Sequence, residues 1–347
     1  MSTGRAPRAD REEQDLREAR RARREARERR EHAAREIEAR ERERERVEAA
    51  EGPRERRADG PSRRARAQRR PPRPPRKRSA GSELAQRILI GVPLAVIAIG
   101  FVDVGGVAFA ALMALVSVLC LIELNRLLTR WRPAAWVTYA GAVAFVAAAR
   151  WGTDRTVLEL AMATLPVTFL VVAVRTPSTR DNMATVSIAG TLLGVVWIGL
   201  GFAHAELLRE LPHGDAIVID VMLGTFLADV GAYLGGRMFG RRPLAPAISP
   251  NKTVEGLALG MFTAVVAVFV AGRFQQTWLT EGQSLLLGVT VAVLGPIGDL
   301  FESVVKRDAG VKDAGSLFGA HGGALDRLDA ILFTIVGGYY VWVGLLH

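Results

Sequence analysis

From Arg87 to His347 the chain repeats one pattern, windows of about 16–20 mostly apolar residues separated by short polar stretches. An α-helix needs about that length to cross some 30 Å of hydrocarbon, and it satisfies its own backbone while doing so. The windows fall near Ile88–Val102, Gly105–Ile122, Ala134–Ala149, Val157–Val174, Ala184–Ala203, Ile217–Gly235, Val254–Ala271, Leu285–Leu300 and Leu328–Leu346. The expected fold is therefore an all-α polytopic integral membrane protein with nine transmembrane helices over 87–347, preceded by a tail over 1–86.

The tail holds the excess charge. Its first 80 residues carry 28 Lys and Arg against 17 Asp and Glu, whereas the remainder carries 18 against 19. Residues 11–51 alternate Arg and Glu, which suits a solvated single helix held by i,i+4 pairs without an apolar stripe. Residues 52–78 turn to Pro and Arg, the composition of an extended, disordered linker. Nucleic-acid or anionic-lipid binding is the sharper reading of such a run; a solvated cytoplasmic arm that helps fix orientation is the favoured one. No nucleic acid is expected as a partner. The tail has no apolar signal-peptide core, so the first apolar window is expected to direct insertion. A lone cysteine, Cys120, excludes an intramolecular disulfide and a cysteine-based zinc site.

Charge asymmetry between loops sets the expected orientation. With the tail inside, the inner loops hold thirteen basic residues (Arg126, Arg130 and Arg132 in the first) and the outer loops only Arg150, Arg155, Arg209 and Arg273. That predicts a cytoplasmic N-terminus and places both polar clusters on the cytoplasmic side of a cell (inner) membrane. Glycines four apart, Gly190/Gly194, Gly231/Gly235 and Gly256/Gly260, predict close helix packing.

The first polar cluster begins with Asp229 and Tyr233, which share a helix face and look to a substrate group, a metal or a salt bridge to Arg237. Next, Ser249, Asn251, Lys252 and Thr253 stand just ahead of the seventh helix. They are candidate phosphate or nucleotide ligands at a helix N-terminus, or an ordinary N-cap. The second cluster is denser. Asp299, Ser303 and Lys306 follow one helix stripe with Glu302 alongside, Arg307, Lys312 and Asp313 follow, and Asp326, Arg327 and Asp329 open the last helix. A carboxylate at bilayer depth costs roughly 2.5–3.5 kcal/mol, so such acids are functional candidates. Two carboxylates converging from different helices suit Mg²⁺, which completes its shell with water and substrate phosphates. Between the two helices, His321-Gly322-Gly323 is either a backbone approach to phosphate or a plain reverse turn.

These motifs resemble a known family. Ser303-x-x-Lys306-Arg307-x₄-Lys312-Asp313 followed by His321-Gly322-Gly323-x-x-Asp326-Arg327-x-Asp329 is similar to the signature of phosphatidate cytidylyltransferases, the CDP-diacylglycerol synthases. Ser249-Pro250-Asn251-Lys252-Thr253-x-Glu255-Gly256 and Gly298-Asp299-Leu300 add to the likeness, which spans roughly Arg87 to the C-terminus and omits the tail. Gly319-Ala320, Val230 and Ala330 depart from the usual pattern, while every charged position is kept. The resemblance implies a homodimeric membrane enzyme that joins CTP to phosphatidic acid, giving CDP-diacylglycerol and pyrophosphate. It also implies a Mg²⁺ requirement, with a second cation left open, and Asp299 and Asp326 as metal ligands. On that reading the lipid phosphate attacks the α-phosphorus of CTP in line. Lys306, Arg307, Lys312 and Arg327 would clamp the phosphates, and Asp313, His321 and Asp329 would complete the catalytic set. Asp229, Tyr233, Ser249, Asn251, Lys252, Thr253, Ser303, Gly322 and Gly323 would bind substrate. The rivals are a CTP transferase for another lipid phosphate and an ion-coupled transporter using Asp229, Asp299 and Asp326.

Overall fold

The computed structural model describes residues 95–175, 183–275, 277–315, 317 and 322–346. The tail, residues 88–94 of the first expected helix, and His321 with the Gly319-Ala320 pair before it lie outside the described residues. The order is α1 (Ala95–Val104), α2 (Gly106–Leu127), α3 (Ala135–Trp151), α4 (Asp154–Arg175), α5 (Ala184–Glu210) and α6 (Gly214–Phe239). A hairpin of β1 (Pro243–Ala245) and β2 (Ser249–Thr253) follows, then α7 (Val254–Gln275), α8 (Glu281–Asp308) and α9 (Leu325–Leu346). Over its described residues, each expected apolar window falls on one of these helices. Seven of them, α2 and α4 to α9, are long and apolar enough to cross a membrane by length and composition. The shortfall from nine is one of length. α3 has 17 residues, and α1 has ten within the described range.

The antiparallel hairpin, register Pro243 to Thr253, is an addition that helix periodicity could not forecast. Pro250 sits within β2, tolerable because a two-stranded sheet leaves every strand an edge.

Local chemistry sets the helix ends that matter. α8 starts with a capping box, in which Thr280 Oγ1 accepts the Gln283 N–H (3.3 Å) and Gln283 Oε1 accepts the Thr280 N–H (2.9 Å). It stops at Gly310, whose φ of +73° suits glycine, and the Val311 N–H closes back on the Lys306 carbonyl at 3.0 Å. Lys306 and Arg307 therefore occupy a terminus whose dipole favours cations.

Two glycine contacts bring the site's helices together. A Cβ on Gly260 of α7 would meet the Ala228 carbonyl of α6 at 2.8 Å, and Gly231 meets Gly260 from the other side. The paired glycines thus do what their spacing suggested. At Gly298 of α8 a Cβ would lie 3.1 Å from the Ala330 Cα of α9, so the two backbones touch beside Asp299. The apolar core runs through α5 to α9 around Leu208, Val221, Val268, Leu287 and Trp342, with a second cluster joining α2, α3 and α5 to the ends of α8 and α9. In α5 the helix widens to a π turn over Val195–Gly199, where Trp197 sets its ring edge-on to Phe301 of α8 (4.8 Å between centroids).

Candidate active site

One cavity of about 730 Å³ is lined by α6, the hairpin, the middle of α8 and the N-terminal turns of α7 and α9. Its polar wall carries Asp229, Tyr233, Arg237, Ser249, Asn251, Lys252, Thr253, Asp299, Asp326 and Asp329. Leu257, Met261, Pro296 and Leu300 add an apolar lining. Thr225 also lines it, and its hydroxyl is 3.0 Å from Thr334. Ten polar residues from two distant stretches of sequence therefore meet in one space that also has an apolar lining.

The charges are not evenly matched. Lys252 pairs with Asp299, each side chain about one-third exposed, and Asp229 lies close enough to Asp299 to be repelled by it. Arg327 and Lys252 are the cations that act on Asp229. Arg237 donates to the Tyr233 hydroxyl at 3.3 Å, so the salt bridge considered for Asp229 is not the contact Arg237 makes.

Behind this wall Lys306 bridges Glu302 and, at 2.8 Å, Asp326. Glu302 is fully buried. Its Oε1 has no donor within hydrogen-bonding geometry among the described residues, and Asp326, on the far side of Lys306, lies close enough to repel it. Asp326 is the most heavily bonded acid. It takes Lys306 on Oδ1, the Ala314 N–H at 3.0 and 2.9 Å across both oxygens, and the Gly323 N–H on Oδ2 at 2.7 Å. A carboxylate offers about four lone-pair sites, so Asp326 retains capacity for roughly one more partner. Gly322 has φ of +82°, and a Cβ there would stand 2.7 Å from Asp326 Oδ2, so glycine is required on both counts.

Other sequence candidates are placed differently. Arg307 turns away from the cavity, bonding the Ile248 carbonyl (2.9 Å) and the Val311 carbonyl (3.2 Å), and so ties the hairpin to α8. Thr253 both lines the cavity and caps α7, its Oγ1 accepting the Gly256 N–H at 3.1 Å. Lys312 and Asp313 are exposed on the α8–α9 connection, and Ser303 is buried off the cavity. Glu302 gained no role from its sequence position, although its i,i+4 spacing to Lys306 was the available signal. Glu255 was likewise passed over. It accepts the Arg241 and Arg242 N–H groups at 3.0 and 3.2 Å and fixes the hairpin's start.

Among the described residues no three Asp, Glu, His or Cys side chains are grouped to ligate one ion. The donor chemistry nevertheless fits Mg²⁺, which needs only one or two protein carboxylates. Asp229 and Asp299 repel across the cavity, and the donorless oxygen of Glu302 shows that acids outnumber their cations behind it.

A model described as the Cytidylyltransferase family matches residues 85–344. The phosphatidate cytidylyltransferase of Staphylococcus epidermidis is 34% identical over 156 residues, 45% of this chain and 59% of that protein. That of Mycobacterium tuberculosis is 36% identical over 168 residues, 48% of this chain and 49% of that protein. An uncharacterized Escherichia coli protein, YnbB, is 40% identical over 151 residues, 42% and 50% of the two chains. The chain spans about half the length of the curated relatives it matches.

Proposed function

We propose, from the premise that this chain belongs to the cytidylyltransferase family, that it transfers the cytidylyl group of CTP to phosphatidic acid. The products are CDP-diacylglycerol and pyrophosphate. The observation that carries this reading is the cavity itself, where acids and a lysine share the lining with apolar side chains within a bundle of membrane-length helices. A nucleotide alone needs no apolar wall at bilayer depth, and an apolar ligand alone needs no such charges.

In the reaction an ionised oxygen of the lipid phosphate forms a bond to the α-phosphorus of CTP. The bond from that phosphorus to the α–β bridging oxygen breaks, and pyrophosphate carries away the electron pair. No protein nucleophile is required. Lys252 can release Asp299 to meet phosphate, since their pair is partly exposed and easily exchanged. Ser249, Asn251 and Thr253 present donors on the same wall, and Asp229 and Tyr233 face them from α6. Lys306 holds Asp326 in place. Asp299 and Asp326 are the residues that would hold Mg²⁺, and both line the cavity. When bound there, that ion would neutralise charge on phosphate oxygens and polarise the phosphorus. The apolar lining supports an acceptor drawn from the membrane, and on this reading the polar end opens to the cytoplasmic side of the inner membrane, where CTP is found. A homodimer is part of the same proposal.

Release of pyrophosphate from CTP by the detergent-solubilised protein, with and without phosphatidic acid, tests the reading. Release that depends on the lipid, with label from CTP passing into the organic phase, is expected. Equal release on a polyprenyl phosphate would redirect the assignment to another acceptor, and no release with any lipid phosphate would overturn it.

A further inference from the structure

Glu123 lies on α2, about two hundred residues away in sequence from the α8–α9 connection it touches, and outside every motif described above. It is 4% exposed. Its Oε2 accepts the N–H of Leu325, the first residue of α9, at 2.9 Å. That N–H is one of the four that a helix start leaves without an intrahelical partner, and a carboxylate there also suits the helix dipole. A Cβ on Gly315 or on Gly323 would collide with the same carboxylate. From the opposite side, Asp326 accepts the N–H groups of Ala314 and Gly323. The backbone beside Asp326 is thus held between two acids, one in the cavity wall and one behind it. A buried carboxylate in an apolar helix is costly to keep, and this one spends its acceptor on the start of α9.

We infer that Glu123 is a positioning residue for Asp326, fixing the start of α9 through Leu325 and demanding glycine at 315 and 323. The inference rests on the cytidylyl-transfer reading for its kinetic consequence. Its mechanical consequence stands apart from that reading. The working part of Glu123 is an acceptor oxygen, so glutamine should replace it and alanine should not. A misplacement of about 1 Å at a reacting centre can cost on the order of 100-fold.

The experiment uses the full chain in detergent with Glu123→Gln, Glu123→Ala, Gly323→Ala and the double variant Glu123→Ala/Gly323→Ala. CDP-lipid formation is expected to fall roughly 30- to 100-fold in kcat for Glu123→Ala, with KM for CTP within about 3-fold and Glu123→Gln within about 3-fold of the unaltered protein. Tryptic cleavage after Lys312, read without substrates, should quicken by about 5-fold or more in Glu123→Ala and stay unchanged in Glu123→Gln, because cleavage follows local opening. Gly323→Ala should quicken it too, and the double variant should be no worse than Glu123→Ala, since the collision partner is gone. Additive effects in the double variant, or Glu123→Ala matching the unaltered protein in both readouts, overturn the inference. An equal fall for Gln and Ala, with no split between kcat and KM, would mean that the acceptor oxygen is not the working part and also overturns it. If the unaltered protein made no CDP-lipid yet showed the expected cleavage cycle, the transfer reading would fall and the Glu123 brace would stand.

Discussion

Replacing Lys306 by methionine isolates the strongest electrostatic element of the site. The ammonium sits between Glu302, fully buried, and Asp326, 10% exposed, and is itself 13% exposed. At 2.8 Å from Asp326 the Coulomb attraction is about 6 kcal/mol at an effective dielectric near 20. Desolvation of the ions offsets most of that. What remains is the cost of leaving partners behind, roughly 3–5 kcal/mol when one member of a buried pair is deleted. Methionine keeps the length and apolar stem of lysine, so packing contributes little to the change. The same substitution frees Asp326 to turn, and CDP-lipid formation should drop by about 100-fold or more. Adding Glu302→Gln removes the orphaned buried charge. The double variant should therefore recover at least about half of the lost stability while staying inactive. Tryptophan emission on heating in detergent gives the stability, and labelled CTP passing into the organic phase gives the rate. Lys306→Met with unchanged stability, or a double variant less stable than Lys306→Met alone, would refute the reasoning.

Lys252→Met provides the contrast. Because its pair with Asp299 is about one-third exposed, stability should change by less than about 1 kcal/mol, whereas KM for CTP should rise about 10-fold or more. Arg307→Ala should speed hydrogen exchange at hairpin amides 243–253 in line with a loss of about 1–2 kcal/mol, since it deletes the bond to the Ile248 carbonyl. Unchanged exchange there would return Arg307 to a substrate role. Gly260→Val forces a side chain against the Ala228 carbonyl and Ala232, and should lower thermal stability by about 1–3 kcal/mol or more.

Most of the helices were legible in the sequence because a membrane demands one length and one composition of every crossing. Glycines four apart likewise gave the α6–α7 contact, since small residues are what let backbones approach. The acids at 229, 299, 326 and 329 stood out because an apolar segment makes any carboxylate conspicuous. The sequence was silent on which cation serves which acid. Lys306 and Arg307 are neighbours with one charge each, yet one turns to Asp326 and the other to a hairpin carbonyl, a choice made by helix phase and by the hairpin. The hairpin itself escaped notice, its two short strands carrying no period-2 apolar signal. Glu123 escaped because its partner is a backbone N–H two hundred residues away, and backbone partners leave no trace in side-chain spacing.

The most direct measurement is transfer of label from CTP to phosphatidic acid by purified protein carrying Asp299→Asn, at saturating Mg²⁺, beside the unaltered chain. The proposed reading puts the carboxylate that pairs with Lys252 at the reacting phosphates, and so predicts lipid- and Mg²⁺-dependent CDP-diacylglycerol in the unaltered protein and a loss of roughly 100-fold or more in the variant, with thermal stability kept. Near-equal rates in the two proteins would contradict it.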